Sequence, residues 1–148
     1  MCLEASHCPR RPAAVPLGND FLDLMRQRLA KEGGLIAETD LRKRWCEHGR
    51  PPQDMDDLLG GDRLRSITRD SQRWLPAFQL QPDGLTPRAD VAVVAEELAG
   101  GMDAAEILAW FACRNASLDG ETPIARLRTG PLPAVLDAAR LDRFIGSA

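Results

Sequence analysis

At 148 residues, 44% hydrophobic and 28% charged, with a net charge of −3, the chain has the length of one ordinary domain or two very small ones and is too apolar to stay disordered. Its longest apolar runs, such as Val91–Ala95, fall far short of a membrane span, and no apolar segment follows Arg10–Arg11, so no signal peptide, no membrane association and a cytoplasmic location are expected. Residues 1–82 carry 13 Lys/Arg against 12 Asp/Glu and residues 83–148 carry 6 against 10, so neither half has the basic balance of a dedicated nucleic-acid binder.

Residues 1–18 contain Pro9, Pro12, Pro16 and Gly18 without periodicity and read as a flexible leader. A first helix is expected from Asn19 or Asp20, with Phe21, Leu22, Met25 and Leu29 on its apolar face and Gly33-Gly34 as its stop. Thr39 is placed to cap a second helix that turns Leu41, Trp45 and Cys46 inward. Pro51-Pro52 opens a short third helix bearing Met55, Leu58 and Leu59, closed by Gly60-Gly61. The period then changes to two. Leu64–Arg69 and Arg73–Leu75 flank the turn signal Asp70-Ser71, which predicts a β-hairpin, with Pro76 assigning its second strand to an edge. Helix, helix, short helix and hairpin over 19–82 is the outline of a small helix-turn-helix-like unit.

From 83 to 148 four helices are predicted, packed as a compact helical domain. Thr86-Pro87 and Thr122-Pro123 each set a capping hydroxyl before a proline at the first helical position, and Asp103 and Glu106 have capping-box spacing. The apolar sets are Val91, Val94, Ala95 and Leu98; Ile107, Leu108, Trp110 and Phe111; Ile124 and Leu127; and Leu132, Val135, Leu136 and Leu141. The fold class expected is mainly α, with a hairpin in the N-terminal unit.

The inventory for catalysis is poor. Nucleophile-elbow, P-loop and dinucleotide-binding motifs are all missing, and Gly60-Gly61 and Gly100-Gly101 read as helix stops. Cys2, His7, Cys8, Cys46 and His48 lack the paired spacing of a zinc site, and Asp54, Asp56, Asp57 and Asp62 lack the alternation of a calcium loop and read as a solvated face. Cysteines are expected as thiols, Cys113 packing as a small hydrophobe. No enzyme, no cofactor and no metal are expected.

For nucleic acid, Arg63, Arg65, Arg69 and Arg73 are placed for a hairpin to present to phosphates. The third helix, where a recognition helix would fall, carries Asp54, Asp56 and Asp57, and these carboxylates repel a phosphate-lined groove.

The informative stretch runs from Trp110-Phe111-Ala112-Cys113-Arg114-Asn115 through Leu118-Asp119-Gly120-Glu121-Thr122-Pro123-Ile124 to Leu127, Gly130, Val135 and Leu136. It resembles the C-terminal toxin-binding domain of Xre/MbcA/ParS-type antitoxins, and Trp74–Leu80 followed by Gly84 resembles the segment that joins the helix-turn-helix part to that domain in such proteins. The resemblance covers about residues 74–141, more faintly 35–73. It implies a bacterial antitoxin that binds and neutralises a RES-type, NAD-degrading toxin, with Trp110, Asn115, Leu118, Gly120, Pro123, Leu127 and Gly130 as toxin-binding residues. The tail Arg140-Leu141-Asp142-Arg143-Phe144-Ile145 is then expected to reach the toxin, Arg140 and Arg143 taking the place of substrate phosphates and Phe144 anchoring in an apolar pocket. Autoregulation through operator DNA would fall to the four hairpin arginines. A stand-alone DNA-binding transcriptional regulator and a bare interaction module are the alternatives, and a homo-oligomer is expected under each.

Overall fold

The computed structural model describes residues 19–61 and 63–147, with side chains from 21 to 144. The leader, with Cys2, His7 and Cys8, lies outside the described residues, as does Asp62. The protein is mainly helical with a small antiparallel sheet of three strands. In chain order the elements are α1 (Asn19–Leu29), β1 (Leu35–Ala37), α2 (Glu38–Glu47), α3 (Pro52–Gly60), β2 (Ile67–Arg69), β3 (Gln72–Pro76), α4 (Ala89–Leu98), α5 (Ala104–Ala112), α6 (Pro123–Thr129) and α7 (Leu132–Ser147). None of the described helices is long and apolar enough to cross a membrane.

The chain divides into two compact units, one over Gly18–Arg88 and one from Ala89 onward. In the first, Leu41, Trp45, Met55, Leu64, Leu75, Leu80 and Leu85 form one core cluster. α1 buries Phe21, Leu22, Met25 and Leu29, the helical stripe predicted for it. The sheet order is β1-β3-β2, so β3 is central: it pairs Leu35 with Pro76 and Ala37 with Trp74 on one side, and Ile67 with Trp74 on the other. This corrects the edge assignment of the second hairpin strand. Pro76 is tolerated because it ends the strand, and the next donor, Ala77 N–H, reaches Gly34 O at 2.9 Å. β1 has no counterpart among the sequence expectations, since three residues are too few to show a period. Asp70 and Ser71 both take positive φ, 53° and 64°, which fits a two-residue turn matched to the twist of the strands.

Two capping assignments are corrected. α2 starts at Glu38 with Ala37 at its cap and no side-chain cap bond, so Thr39 lies inside the helix. Thr86 caps nothing: its hydroxyl donates to Asp83 Oδ2 at 2.6 Å and accepts from Arg50 Nη2 at 3.2 Å, and α4 starts at Ala89. Leu80 and Leu85 reach the N-terminal core because this 80–88 turn folds back, with Arg50 lying 4.9 Å over the Trp45 ring. Cys46, expected inward, is exposed and a free thiol.

In the second unit α5 is the central helix, buried on every face from Ile107 to Ala112. Its capping box forms as predicted, with Asp103 accepting from Glu106 N–H at 2.9 Å and Glu106 accepting from Asp103 N–H at 3.0 Å. Thr122 caps α6 through Ala125 N–H, and Pro123 occupies the first turn. Leu141 does not join the core; it is 52% exposed. Cys113 is buried, in keeping with its apolar setting, but it is disulfide-bonded, which corrects the expectation of a free thiol.

Candidate functional site

The residues of the informative stretch converge on one turn and the helix beside it. Asn115 follows the end of α5, and its side-chain oxygen accepts from Ser117 N–H at 2.9 Å. Its main-chain oxygen accepts from Leu118 and Gly120 N–H, each at 3.0 Å, and its own N–H donates to Glu121 O. The turn closes because Asp119 and Gly120 take left-handed backbone angles, φ 58° and 81°.

The Asn115 amide and the Trp110 indole then meet on α7. Trp110 Nε1 donates to Asp142 Oδ2 at 2.7 Å, and Asn115 Nδ2 donates to the same oxygen at 3.0 Å. Asp142 is half-buried and enters the sequence pattern only as part of the tail. Its one local signal is to be the lone acid among arginines and apolar residues; nothing nearby in the chain says which donors it meets.

A second hub is Arg126 of α6. Its guanidinium donates to Leu118 O at 3.0 Å and to Asp119 Oδ2 at 3.1 Å, and lies 3.1 Å from Glu121 Oε1. Gly130 follows from this: a Cβ there would stand 2.7 Å from Arg126 Cδ. The two glycines of the pattern therefore serve different needs, backbone angle at Gly120 and space at Gly130.

Trp110, Asn115, Leu118, Pro123 and Leu127 are all buried in this chain. They build the domain and present little side-chain surface of their own to a partner. What the domain does present lies at the far end of α7. Phe144 is 75% exposed, the most exposed large apolar side chain among the described residues. The two tail arginines are held to one carboxylate, Glu97 of α4, by Arg143 Nη1 at 2.7 Å and Arg140 Nε at 3.4 Å. Arg143 also lies along Gly100, whose missing Cβ leaves room for its Cδ.

The hairpin arginines are dispersed. Arg69 sits 3.8 Å from Asp23 and 3.5 Å from Asp70, and Arg73 sits 3.3 Å from Glu38. Arg65 is half-buried with its backbone pinned by Gln79, and Arg63 is exposed. On α3, Gln53, Asp54, Asp56 and Asp57 face solvent, and Asp56 takes Arg42 at 2.8 Å. Among the described residues no three His, Cys, Asp or Glu side chains are grouped to hold a metal ion.

These features define two small units: one mainly helical with a three-stranded sheet, the other a helical domain knitted by an Asn turn and a Trp–Asp contact. No family model, curated protein or solved structure matches the chain.

Proposed function

We propose that the chain is a bacterial antitoxin that binds and neutralises a RES-type, NAD-degrading toxin, performing no chemistry itself. The observation that carries this reading is the division of labour in the C-terminal unit. The patterned residues Trp110 and Asn115 are spent on fixing α7 through Asp142, Gly120 on closing the Asn115 turn, and the helix so fixed carries near its end an apolar side chain left in water. A Phe at 75% exposure costs solubility unless a partner covers it. Phe144 supplies the anchor, flanked by Arg140 and Arg143, whose ion pairs with Glu97 are partly exposed and exchange readily for carboxylates of a partner.

The test is capture with tagged full-length chain, followed by co-expression. The captured partner expressed alone should deplete NAD and arrest growth, and this chain should restore both. Retention through high salt is expected of an apolar interface. A partner whose expression leaves NAD unchanged would sink the reading.

A DNA-binding regulator is the second reading, favoured by one observation. The order α1, β1, α2, α3, β2, β3 with sheet order β1-β3-β2 is compatible with a winged helix-turn-helix, with Arg63 and Arg65 leading into the wing. The acidic face of α3 opposes it, because that helix would enter the major groove. Operator affinity that falls steeply with salt and is lost in Arg65→Ala/Arg69→Ala would establish this reading.

A further inference from the structure

α4 and α7 run side by side, with Glu97 beside Arg140 and Arg143 and Gly100 beside Arg143. The outer face of α7 carries Pro133, Asp137, Arg140 and Phe144, all exposed, with Leu141 alongside. Their spacing of four, three and four residues keeps the first four on one line along the helix. That line is self-complementary in one orientation. If two copies of α7 pack antiparallel about a point between residues 138 and 139, Asp137 of one protomer faces Arg140 of its partner, and Phe144 of one covers Pro133 of its partner. Both contacts occur twice, as a two-fold axis requires. A parallel, in-register pairing would set Asp137 on Asp137 and Arg140 on Arg140, which like charges disfavour.

We propose that, in the absence of a toxin, a second copy of this chain occupies the outer face of α7, forming an antiparallel two-fold dimer centred between residues 138 and 139. Within one chain Arg140 Nη1 and Asp137 Oδ1 lie 3.5 Å apart, with side chains 56% and 77% exposed. Both charges can therefore rotate onto a facing copy at little cost in burial. Leu141 and Phe144 lose exposed apolar surface at each end of the seam. One helix per protomer is a small interface, so the dimer is concentration-dependent and exchanges rather than being obligate. The deeper consequence rests on the toxin reading: a toxin that engages Phe144 must displace the second copy. The dimer itself stands on the α7 face alone.

Sedimentation equilibrium of the full-length chain tests it. A monomer–dimer equilibrium is expected, weakened about tenfold or more by Phe144→Glu, which removes an interface anchor. Asp137→Lys should weaken it as well, by setting an ammonium against Arg140 of the facing copy. Both sites are exposed, so unchanged far-ultraviolet circular dichroism is expected in each variant. A wild-type chain that stays monomeric at high concentration overturns the dimer, as does a dimer that both variants leave intact. A monomer that still captures a toxin would sink the dimer and keep the functional reading; a dimer that captures none would do the reverse.

Discussion

Trp110 and Asp142, 32 residues apart, are joined by a 2.7 Å indole-to-carboxylate hydrogen bond, and the same carboxylate oxygen takes the Asn115 amide at 3.0 Å. Trp110 sits on the helix that is buried all round, so Asp142 ties the last helix both to the core of its unit and to the turn that follows α5. Charge-assisted bonds of this kind are worth more than neutral ones, and a donor left without its acceptor in a buried place costs the full desolvation of that group.

Asp142→Ala is therefore expected to destabilise the C-terminal unit by about 1–3 kcal/mol, with two buried donors orphaned at once. Asp142→Asn keeps an acceptor oxygen and should cost less. Urea denaturation followed by tryptophan fluorescence distinguishes the two, and equal midpoints for Asp142→Ala and wild type would refute the role given to this carboxylate.

In the N-terminal unit the corresponding device is Gln79, 3% exposed. Its Oε1 accepts from Arg65 N–H at 2.8 Å and its Nε2 donates to Arg65 O at 2.8 Å, so one side chain completes both backbone groups of a residue before β2. Gln79→Leu should lose about 1–3 kcal/mol, because it removes both hydrogen bonds between the Gln79 amide and the Arg65 backbone. Gln79→Glu keeps the first bond and turns the second into a contact between two oxygens, so it should be no better. Hydrogen exchange at the Arg65 amide, fast in Gln79→Leu and slow in wild type, is the direct reading; an amide equally protected in both would show that Gln79 does not hold this segment.

These two hubs mark what is legible in the sequence and what is not. The helices with a clear apolar stripe, α1 over Phe21–Leu29 and α5 over Ile107–Phe111, are readable because burial on one side or all sides leaves a period or a run. The capping box of Asp103 and the Thr122-Pro123 start are readable because both partners lie close together in the chain. Thr86-Pro87 has the same local signature and yet serves Asp83 and Arg50, since Leu85 draws the turn back onto the Trp45 core. β1 is three residues long and owes its existence to a distant pairing, Ile36 with Leu75, which leaves no local trace. Leu141 fits the apolar period of α7 and lies outside the core, because periodicity reports which residues share a face and not what covers that face. At the candidate site the pattern from Trp110 to Gly130 is visible in the chain, while the meeting point of its side chains, Asp142, requires the fold.

Gly120 and Gly130 should respond differently to the same substitution. Gly120 has φ 81° with nothing within 4 Å of where a Cβ would stand, so Gly120→Ala meets only backbone strain, about 1 kcal/mol. Gly130→Ala meets Arg126 Cδ at 2.7 Å and must push that side chain away from Leu118 O and Asp119. The cost of Gly130→Ala should shrink in an Arg126→Ala background, whereas that of Gly120→Ala should shrink less. A double-mutant cycle on thermal midpoints measures both couplings, and equal coupling would show that the distinction between angle and space is wrong.

The acid limb of stability should carry the signature of Asp83. Its carboxylate accepts from the Thr86 hydroxyl at 2.6 Å, from Thr86 N–H at 2.9 Å and from Leu85 N–H at 2.8 Å, and these bonds lower its pKa from 3.8 to about 2, the hydroxyl contributing most and Arg50 adding a smaller attraction. The folded value lies below the unfolded one, so the ionised form favours the folded state. That contribution is fully present above pH 3.8 and is lost as the pH falls through about 2. Asp83→Asn should therefore flatten the pH dependence of the N-terminal unit between those limits. Thr86→Val, which removes the leading hydrogen bond, should return the Asp83 pKa toward its ordinary value without abolishing the turn. Carboxyl-carbon NMR titration of Asp83 reads the shift directly, and an unchanged titration in Thr86→Val would assign the shift to the backbone amides and Arg50 instead.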